Sequence, residues 1–500
     1  MPDKSPVRNH CRLRRQPGCS LDTNLAKPAR LLSYLLLSAL AVTGCASGPA
    51  YVRPEVEISP AYREGAPWKE ASPADDLPKG PWWEIFGDGE LNSLEERARA
   101  ANQDLKAAAA RIEQARANVR GVDAGRLPSI SLNPSAERRR TADDLSPSGR
   151  AQVTTTLRAP LDMSYELDLF GRVKRSVEAA RSELEASQAD YENLLLSLQA
   201  EVADTYIALR TLDSEVQLLE RTLKLRGKNY ELVKTLYENG QVSRLDLARA
   251  QSELASASAD MAAASRLRAA REHSLAVLVG ENPSVFSLLP RALELTGTIP
   301  SVSPGLPSSL LERRPDIAAA ERRLMAANSR IGVAEAVFFP SISLTGSAGF
   351  ASDEIGTLFQ WENRTWALGP FLSLPLFDGG RNQAGLNLAR ARWEEAVAKY
   401  RQQILVAFSE VEDALSDLRF LSTQFDALKQ AVASARQAAD LTDKRYRAGR
   451  VSYLEVVVSE RTALAAEVLA VRALGQRLQT SVILVKALGG GWEQDKDTGP

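Results

Sequence analysis

Few residues in this chain carry reactive chemistry. Among 500 residues there are 3 Cys and 2 His. Cys11, Cys19 and Cys45 all lie at the front, so the sequence around them decides what the thiols are for. A basic segment between Arg12 and Arg30 leads into "LLSYLLLSALAV" (Leu31 to Val42). That apolar run is too short to cross a bilayer as a mature helix but suits the h-region of a signal peptide. It ends in "VTGC" (Val42 to Cys45). Small residues ahead of a Cys match the lipoprotein-processing box, in which the thiol is acylated and the Cys becomes the new N-terminus. Residues 1–44 are therefore expected to be a signal peptide, and Cys45 the lipid-bearing residue, a covalent lipid being the only prosthetic group. The basic stretch is long for such a leader and points to a start codon downstream. Cys45 would then be the last cysteine left, so an exported chain without disulfides must hold together by packing. His10 leaves with the leader. His273 stands alone in a charged helical stretch, which suits packing or solvent rather than chemistry.

No catalytic constellation appears. There is no Walker loop, no His/Cys set with metal spacing and no nucleophile motif, and "GGGW" follows a helix end without phosphate-binding context. The expectation is a protein that is not an enzyme. A net charge of −1 lacks the basic excess of a nucleic-acid binder, so no nucleic-acid partner is expected. A hydrophobic share of 44% is too low for a bundle of transmembrane helices.

The elements that position these residues are written twice. "YENGQVSRLDL" (Tyr237 to Leu247) returns as "YRAGRVSYLEV" (Tyr446 to Val456), an offset of 209 from Tyr237 to Tyr446. "LPSISL" (Leu127 to Leu132) returns as "FPSISL" (Phe339 to Leu344), an offset of 212 from Pro128 to Pro340. At that same offset Asn102 to Val119 aligns with Arg314 to Ile331, and "LDLFGR" (Leu167 to Arg172) matches "LPLFDGGR" (Leu374 to Arg381). Each half reads helix, strand, strand, long helix, tip motif, helix. A period this long excludes a short-repeat solenoid and implies a duplicated domain.

From Leu157 to Leu169 apolar and polar residues alternate. The run is about twice the length of a typical globular strand, in the form of a β-barrel wall with one face to lipid and one to a wet lumen. Long hairpins on a soluble sheet are the plainer alternative. Four strands cannot close on themselves, and open edges in a bilayer leave unpaired backbone groups, so other copies of the chain must complete the barrel. Three copies would give 12 strands and two would give 8, both within the known range.

From Gly171 to about Tyr237, and again from Arg381 to about Tyr446, the pattern is helical without Pro. Each stretch would be roughly 100 Å long. The other helical segments, about 91–126, 245–279, 309–338 and 454–487, are half as long, so two stacked end to end match one long helix. An apolar stripe runs from Leu198 to Tyr237, at about 3.55 residues per turn, which implies a gentle left-handed supercoil. Arg226 interrupts it, as a solvated stem could. At the tip motifs, Gly240 and Gly449 suit the left-handed end of a helix, and Ser243 and Ser452 can cap the next one. The repeated phrase is a helix-to-helix turn at the far end of each hairpin, opposite the strands.

The chain resembles the outer-membrane efflux proteins of the TolC, OprM and NodT type. The likeness covers the whole mature chain: the lipobox, "PWWEIFGDGELNSL" (Pro81 to Leu94), "RRPDI", "FPSISL", "PLFDGGR", "KRYRAGRVSYLEV" and "VKALGGGW" (Val485 to Trp492). It implies an α+β membrane protein: a homotrimer whose 12-stranded outer-membrane β-barrel, four strands per chain, continues into a long α-helical periplasmic tunnel girdled by an equatorial domain. On this frame residues 45–90 form the lipidated N-terminal and equatorial segment. The first repeat, 91–280, holds strands at about 127–141 and 152–170, the long helix 171–237, the tip turn 238–245 and the helix 245–279. Residues 281–308 form an equatorial linker. The second repeat, 309–488, holds strands at about 339–352 and 365–377, the long helix 381–446, the tip turn 447–453 and the helix 454–487. A tail, 489–500, follows. Ala46 after the lipidated Cys, by resemblance to bacterial lipoproteins, implies sorting to the outer membrane.

The family closes its periplasmic mouth with acidic rings and a Tyr-linked network. Carried over by position, Asp246 and Glu455 are the gate acids and Tyr446 the network tyrosine. First-turn acids that merely stabilise a helix N-terminus are the plainer reading of the carboxylates, worth about 0.3–1 kcal/mol each. Val458 stands where many members carry a second Asp, and Val451 where one branch has Arg; Arg450, one residue earlier, points about 100° away on a helix. The implied function is a passive, gated exit duct for small molecules. Its partners are an inner-membrane pump of the resistance–nodulation–division class, a periplasmic adaptor and outer-membrane lipid. A type I secretion outlet for protein cargo shares the architecture, and a periplasmic coiled-coil adaptor or scaffold is a rival of another class.

Overall fold

The computed structural model describes residues 47–55, 80–147, 149–293 and 313–490. The signal peptide, Cys45 and residues 491–500 lie outside them. Two helices dominate: α3 (Arg172–Glu238) and α6 (Arg381–Arg447), of 67 residues each. Each is followed by a partner of 35 residues, α4 (Arg244–Leu278) and α7 (Tyr453–Ala487). At 1.5 Å per residue these are rods of roughly 100 Å and 50 Å. The remaining lengths are covered by α1 (Gly89–Ala101), α2 (Gln103–Asp123) and α5 (Pro315–Ala336). Helix α3 packs along α2, α4, α5 and α7, and α6 along α5 and α7. Among the described residues no helix is long and apolar enough to cross a membrane.

The half-length helices meet end to end. The Asn102 side chain accepts from the Asp104 and Leu105 amides at 2.9 and 3.1 Å, capping α2. Its Nδ2 donates to the Leu278 carbonyl at 3.0 Å, which seats the end of α4 on the α1–α2 break. The helix expected over 91–126 is thus two helices. An Asn cap supplies the acceptor that the first amides of α2 lack, and its amide serves an orphan carbonyl of α4. At the second junction Arg314 Nη1 donates to the Ala487 carbonyl at 2.9 Å, joining the start of α5 to the end of α7. Both junctions are tight: a Cβ on Gly280 would lie 2.8 Å from the Ala101 carbonyl oxygen, and one on Gly489 would lie 3.0 Å from that of Arg313.

Among the described residues all the strands lie in one antiparallel sheet, at the end of the helices opposite their turns. β1 (Ser129–Leu132) and β2 (Ser135–Thr141) both pair with β3 (Gln152–Leu167), which pairs with β4 (Ser341–Ser352), and β4 with β5 (Arg364–Ser373). The strand expected over 127–141 is interrupted at Asn133-Pro134. The register is unbroken across the gap, since Leu132 faces Leu161 and Ser135 faces Arg158. Pro134 and Pro160 each lack an amide to donate there, so the ladder skips a step without slipping.

The two faces of this sheet differ in chemistry. Partners directly opposite share a face. One face carries Ile130 and Leu132 on β1, Leu161, Met163, Tyr165 and Leu167 on β3, Leu344 and Phe350 on β4, and Trp366, Leu368 and Leu372 on β5. The other carries Ser129 and Ser131, Arg158, Asp162, Ser164 and Glu166, Ser343, Thr345 and Ser347, then Thr365, with Phe371 its one large apolar side chain. The apolar face is bare: Trp366 is 78% exposed and Ile130 69%. The packed core lies elsewhere, where α1 meets the middle of α3, around Trp82, Leu91, Leu94, Val202, Leu209 and Leu275.

Candidate functional site: the helix tips

Both long helices end alike. Gly240 has φ 74° and Gly449 φ 66°, the left-handed conformation that costs a side chain and suits Gly. The Gly240 amide donates to the Tyr237 carbonyl at 2.9 Å and that of Gln241 to Leu236 at 2.8 Å. In the second tip Gly449 donates to Tyr446 at 2.8 Å and Arg450 to Arg445 at 2.9 Å. This pair of bonds is the Schellman motif, which satisfies the last carbonyls of a helix.

Three residues on, the next helix starts on a serine. Ser243 Oγ accepts from the Asp246 amide at 3.2 Å, and Asp246 Oδ2 accepts from the Ser243 amide at 3.3 Å and hydroxyl at 2.7 Å. In the second tip Glu455 Oε1 accepts from the Ser452 amide at 3.4 Å, again a capping box. Both carboxylates sit in a first turn, where the helix dipole favours them. Arg249 Nη1 lies 3.8 Å from Asp246 Oδ1. Among the described residues Glu455 bonds only to its own cap.

The two tips pack on one another. Val233 from α3, Ala250 from α4 and Tyr453, Val456 and Val457 from α7 are buried together, with Tyr230, Val242, Leu247 and Tyr446 packed against them. The Tyr446 and Tyr453 rings are 5.8 Å apart at 55°. The Tyr446 hydroxyl is buried with no hydrogen-bond partner. Burial, and after it the nearby Asp246 carboxylate, raise its pKa. Tyr446 and Asp246 thus come together across the hairpins without a bond between them. Val458 is 55% exposed and Val451 is half-buried.

A few turns from the tips lies a buried polar cluster that the sequence did not reveal. Arg226 is 6% exposed, not a solvated stem. Its Nη1 lies 3.2 Å from Glu253 Oε2 and donates to the Glu253 carbonyl at 3.1 Å. Glu253 also accepts from Arg461 Nε on α7 at 3.0 Å. Asn229 Nδ2 donates to Glu460 at 3.2 Å. Burial raises the Glu460 pKa against the opposing effects of Asn229 and Arg226, and burial together with Glu460 and Glu253 pushes Tyr453 up to about 12. An arginine on an apolar stripe was the available signal, since such a position must find a partner if it is buried. Among the described residues no group of His, Cys, Asp and Glu could hold a metal ion.

The profile of the family described as "Outer membrane efflux protein" matches residues 94–281 and 306–490. The outer membrane protein OprJ of Pseudomonas aeruginosa is 34% identical over 473 residues, covering 94% of this chain and 98% of its own. The cation efflux system protein CusC of Escherichia coli O157:H7 is 33% identical over 473 residues, 93% of this chain and all of its own. The crystal structure of the CmeC outer membrane channel of Campylobacter jejuni superposes with a TM-score of 0.83 at 28% identity, over 91% of this chain and 97% of that one. Paired long helices, a sheet with one bare apolar face and likeness along nearly the whole length lead to one conclusion: this chain belongs to the outer membrane efflux protein family, as an efflux component of the outer membrane.

Proposed function

We propose that three copies of this chain form a passive duct, with a 12-stranded barrel in the outer membrane and a helical tunnel in the periplasm, closed at rest by the helix tips. One observation carries the reading. The sheet has a bare apolar face, a face of Ser, Thr and Asp162, and two unpaired edges at β1–β2 and β5. In a bilayer that combination is stable only when the edges of neighbouring copies pair, placing the apolar rows in lipid and the hydroxyl rows around water. Acylation of Cys45 adds an anchor to the same membrane. The duct takes small molecules from an inner-membrane pump of the resistance–nodulation–division class through a periplasmic adaptor, which docks on the grooves near residues 235–250 and 444–460. The pump supplies the energy.

The gate rests on Asp246, Glu455 and Tyr446. Three copies bring six carboxylates to one narrow mouth, and a small outward turn of the tips relieves their repulsion. The test is single-channel conductance in a planar bilayer. Wild type should conduct little, and Asp246→Ala/Glu455→Ala should conduct severalfold more. Asp246→Asn/Glu455→Gln keeps an oxygen for each cap and removes the charge. If it opens the channel as alanine does, charge holds the gate; if only alanine does, the caps hold it. A pore unchanged by both pairs would remove these residues from the gate, and well-folded protein without a pore would reject the duct.

A further inference from the structure

At the loop end of the sheet the apolar face changes character. The row that begins Ile130 and Leu132 runs on through Ala136 to Arg138 and Arg140, opposite Thr155 and Val153. The row Trp366, Leu368 and Leu372 is headed by Arg364, opposite Phe350. All three arginines are exposed on the outward face. Exposed aromatics gather around Arg364: Trp366 next on its row at 78%, Phe359, which packs on Phe350, at 71%, and Trp361 at 69%. Arg364 sits 4.6 Å over the Trp361 ring and donates to the Trp361 carbonyl at 2.7 Å. Amphipathic rings in such a position mark the boundary between hydrocarbon and headgroups.

The carboxylates of this end do not neutralise the three. Glu137 alternates to the inner face, where its partner is Arg139 at 3.6 Å, and Asp143, Asp144, Asp353, Glu354 and Glu362 lie in the connecting loops. Among the described residues none of Arg138, Arg140 and Arg364 has an ion pair. Charged residues also guard open sheet edges, but guarding does not select a face. Here the inner face mixes Glu137 with Arg139 and Arg158, whereas the outer face carries one sign. A guanidinium fork matches a phosphate with two parallel hydrogen bonds.

We propose that Arg138, Arg140 and Arg364 form a basic rim that binds the phosphates of a phosphorylated glycolipid in the outer leaflet, immediately above the hydrocarbon belt. The inference rests on the barrel reading above, with the loop end facing outward. It supplies the one component that reading leaves out, a lipid of matching charge at the level of the rim. In the trimer the β2 edge of one copy neighbours the β5 edge of the next, so each site draws Arg138 and Arg140 from one protomer and Arg364 from its partner.

The test uses the full-length trimer in detergent, titrated with purified rough-type lipopolysaccharide and read by native mass spectrometry. Wild type should retain the lipid, and Arg138→Gln/Arg140→Gln/Arg364→Gln should bind it about a hundredfold more weakly, at roughly 1 kcal/mol per interfacial arginine. Enzymatically dephosphorylated lipid should bind wild type as weakly as intact lipid binds the variant. Equal binding of both lipids to wild type, equal affinity of wild type and variant, or full displacement by inorganic phosphate at equal concentration would each overturn the rim. Trimer mass and bilayer conductance of the variant are read on the same sample. An intact pore with unchanged lipid binding sinks this inference alone, whereas loss of trimer and pore in wild type sinks the barrel on which it rests.

Discussion

Arg226 shows what a single side chain contributes near the tips. It sits on the apolar stripe of α3, where its stem packs, and its head spends its charge on Glu253, which Arg461 approaches from the other hairpin. Removing Arg226 leaves the buried Glu253 with the half-exposed Arg461 as its remaining ionic partner, at a cost below the about 3 kcal/mol of a fully stranded buried charge. Arg226→Ala should therefore loosen the tips, seen as faster amide exchange at the starts of α4 and α7, while Arg226→Met/Glu253→Met should restore most of the protection. Glu95 is the opposite case. It is 1% exposed, both its oxygens lack partners, and burial raises its pKa to about 9. The folded chain keeps a proton that the unfolded chain releases above about 4.5, so stability falls as pH rises from there through about 9. Glu95→Gln should flatten that decline and raise stability at pH 8 by at least about 1 kcal/mol, measured by thermal melts across pH. Neither residue's behaviour was legible in the sequence. The partner of Arg226 is on another helix and its second neighbour 235 positions away (Arg226 to Arg461), while Glu95 looked like one more solvated acid among many. Asp246, Glu455 and Tyr446 were picked out only by their places in a family motif.

At the scale of elements, the turns were the most legible feature, because Gly followed three residues later by Ser has few other uses between helices. The Gly449 Cβ position is open, with nothing within 4 Å, so the cost of a substitution there is purely the left-handed backbone. Gly449→Val should destabilise the tip by about 1–2 kcal/mol and lower trimer yield, whereas Gly449→Asn should be tolerated. Full trimer yield from the valine variant would show that the turn does not need this conformation. The strands were legible through their alternation, since a two-residue period has no helical counterpart over that length. The interruption at Asn133-Pro134 was hidden because the side-chain alternation carries on through it unchanged. The break at Asn102 was hidden for another reason: Asn is only mildly unfavourable inside a helix, and its role as a cap depends on the Leu278 carbonyl arriving from α4.

At the scale of the molecule, two offsets differing by only three residues, 209 and 212, speak for a duplication. The sequence carries no such signal for the number of copies in the proposed assembly, because edge pairing leaves the same mark in a dimer as in a trimer. The scarcity of thiols makes the assembly testable. Cysteine pairs placed between β1 (from Ser129, Ser131) and β5 (from Phe371, Ser373) should, in the right register, trap a covalent trimer on denaturing gels. A ladder that stops at dimer would replace 12 strands with 8. The end-to-end junctions also set how such an assembly can deform. Helices α3 and α6 run unbroken for 67 residues, so they carry bending along their whole length as beams do. Helices α4 and α7 instead stop at Gly280 and Gly489, resting on the next segment through a side-chain bond and a bare glycine. A load at the tips can therefore swing the two short rods about those seats, as struts pivot on pins, while the sheet end of the molecule stays still.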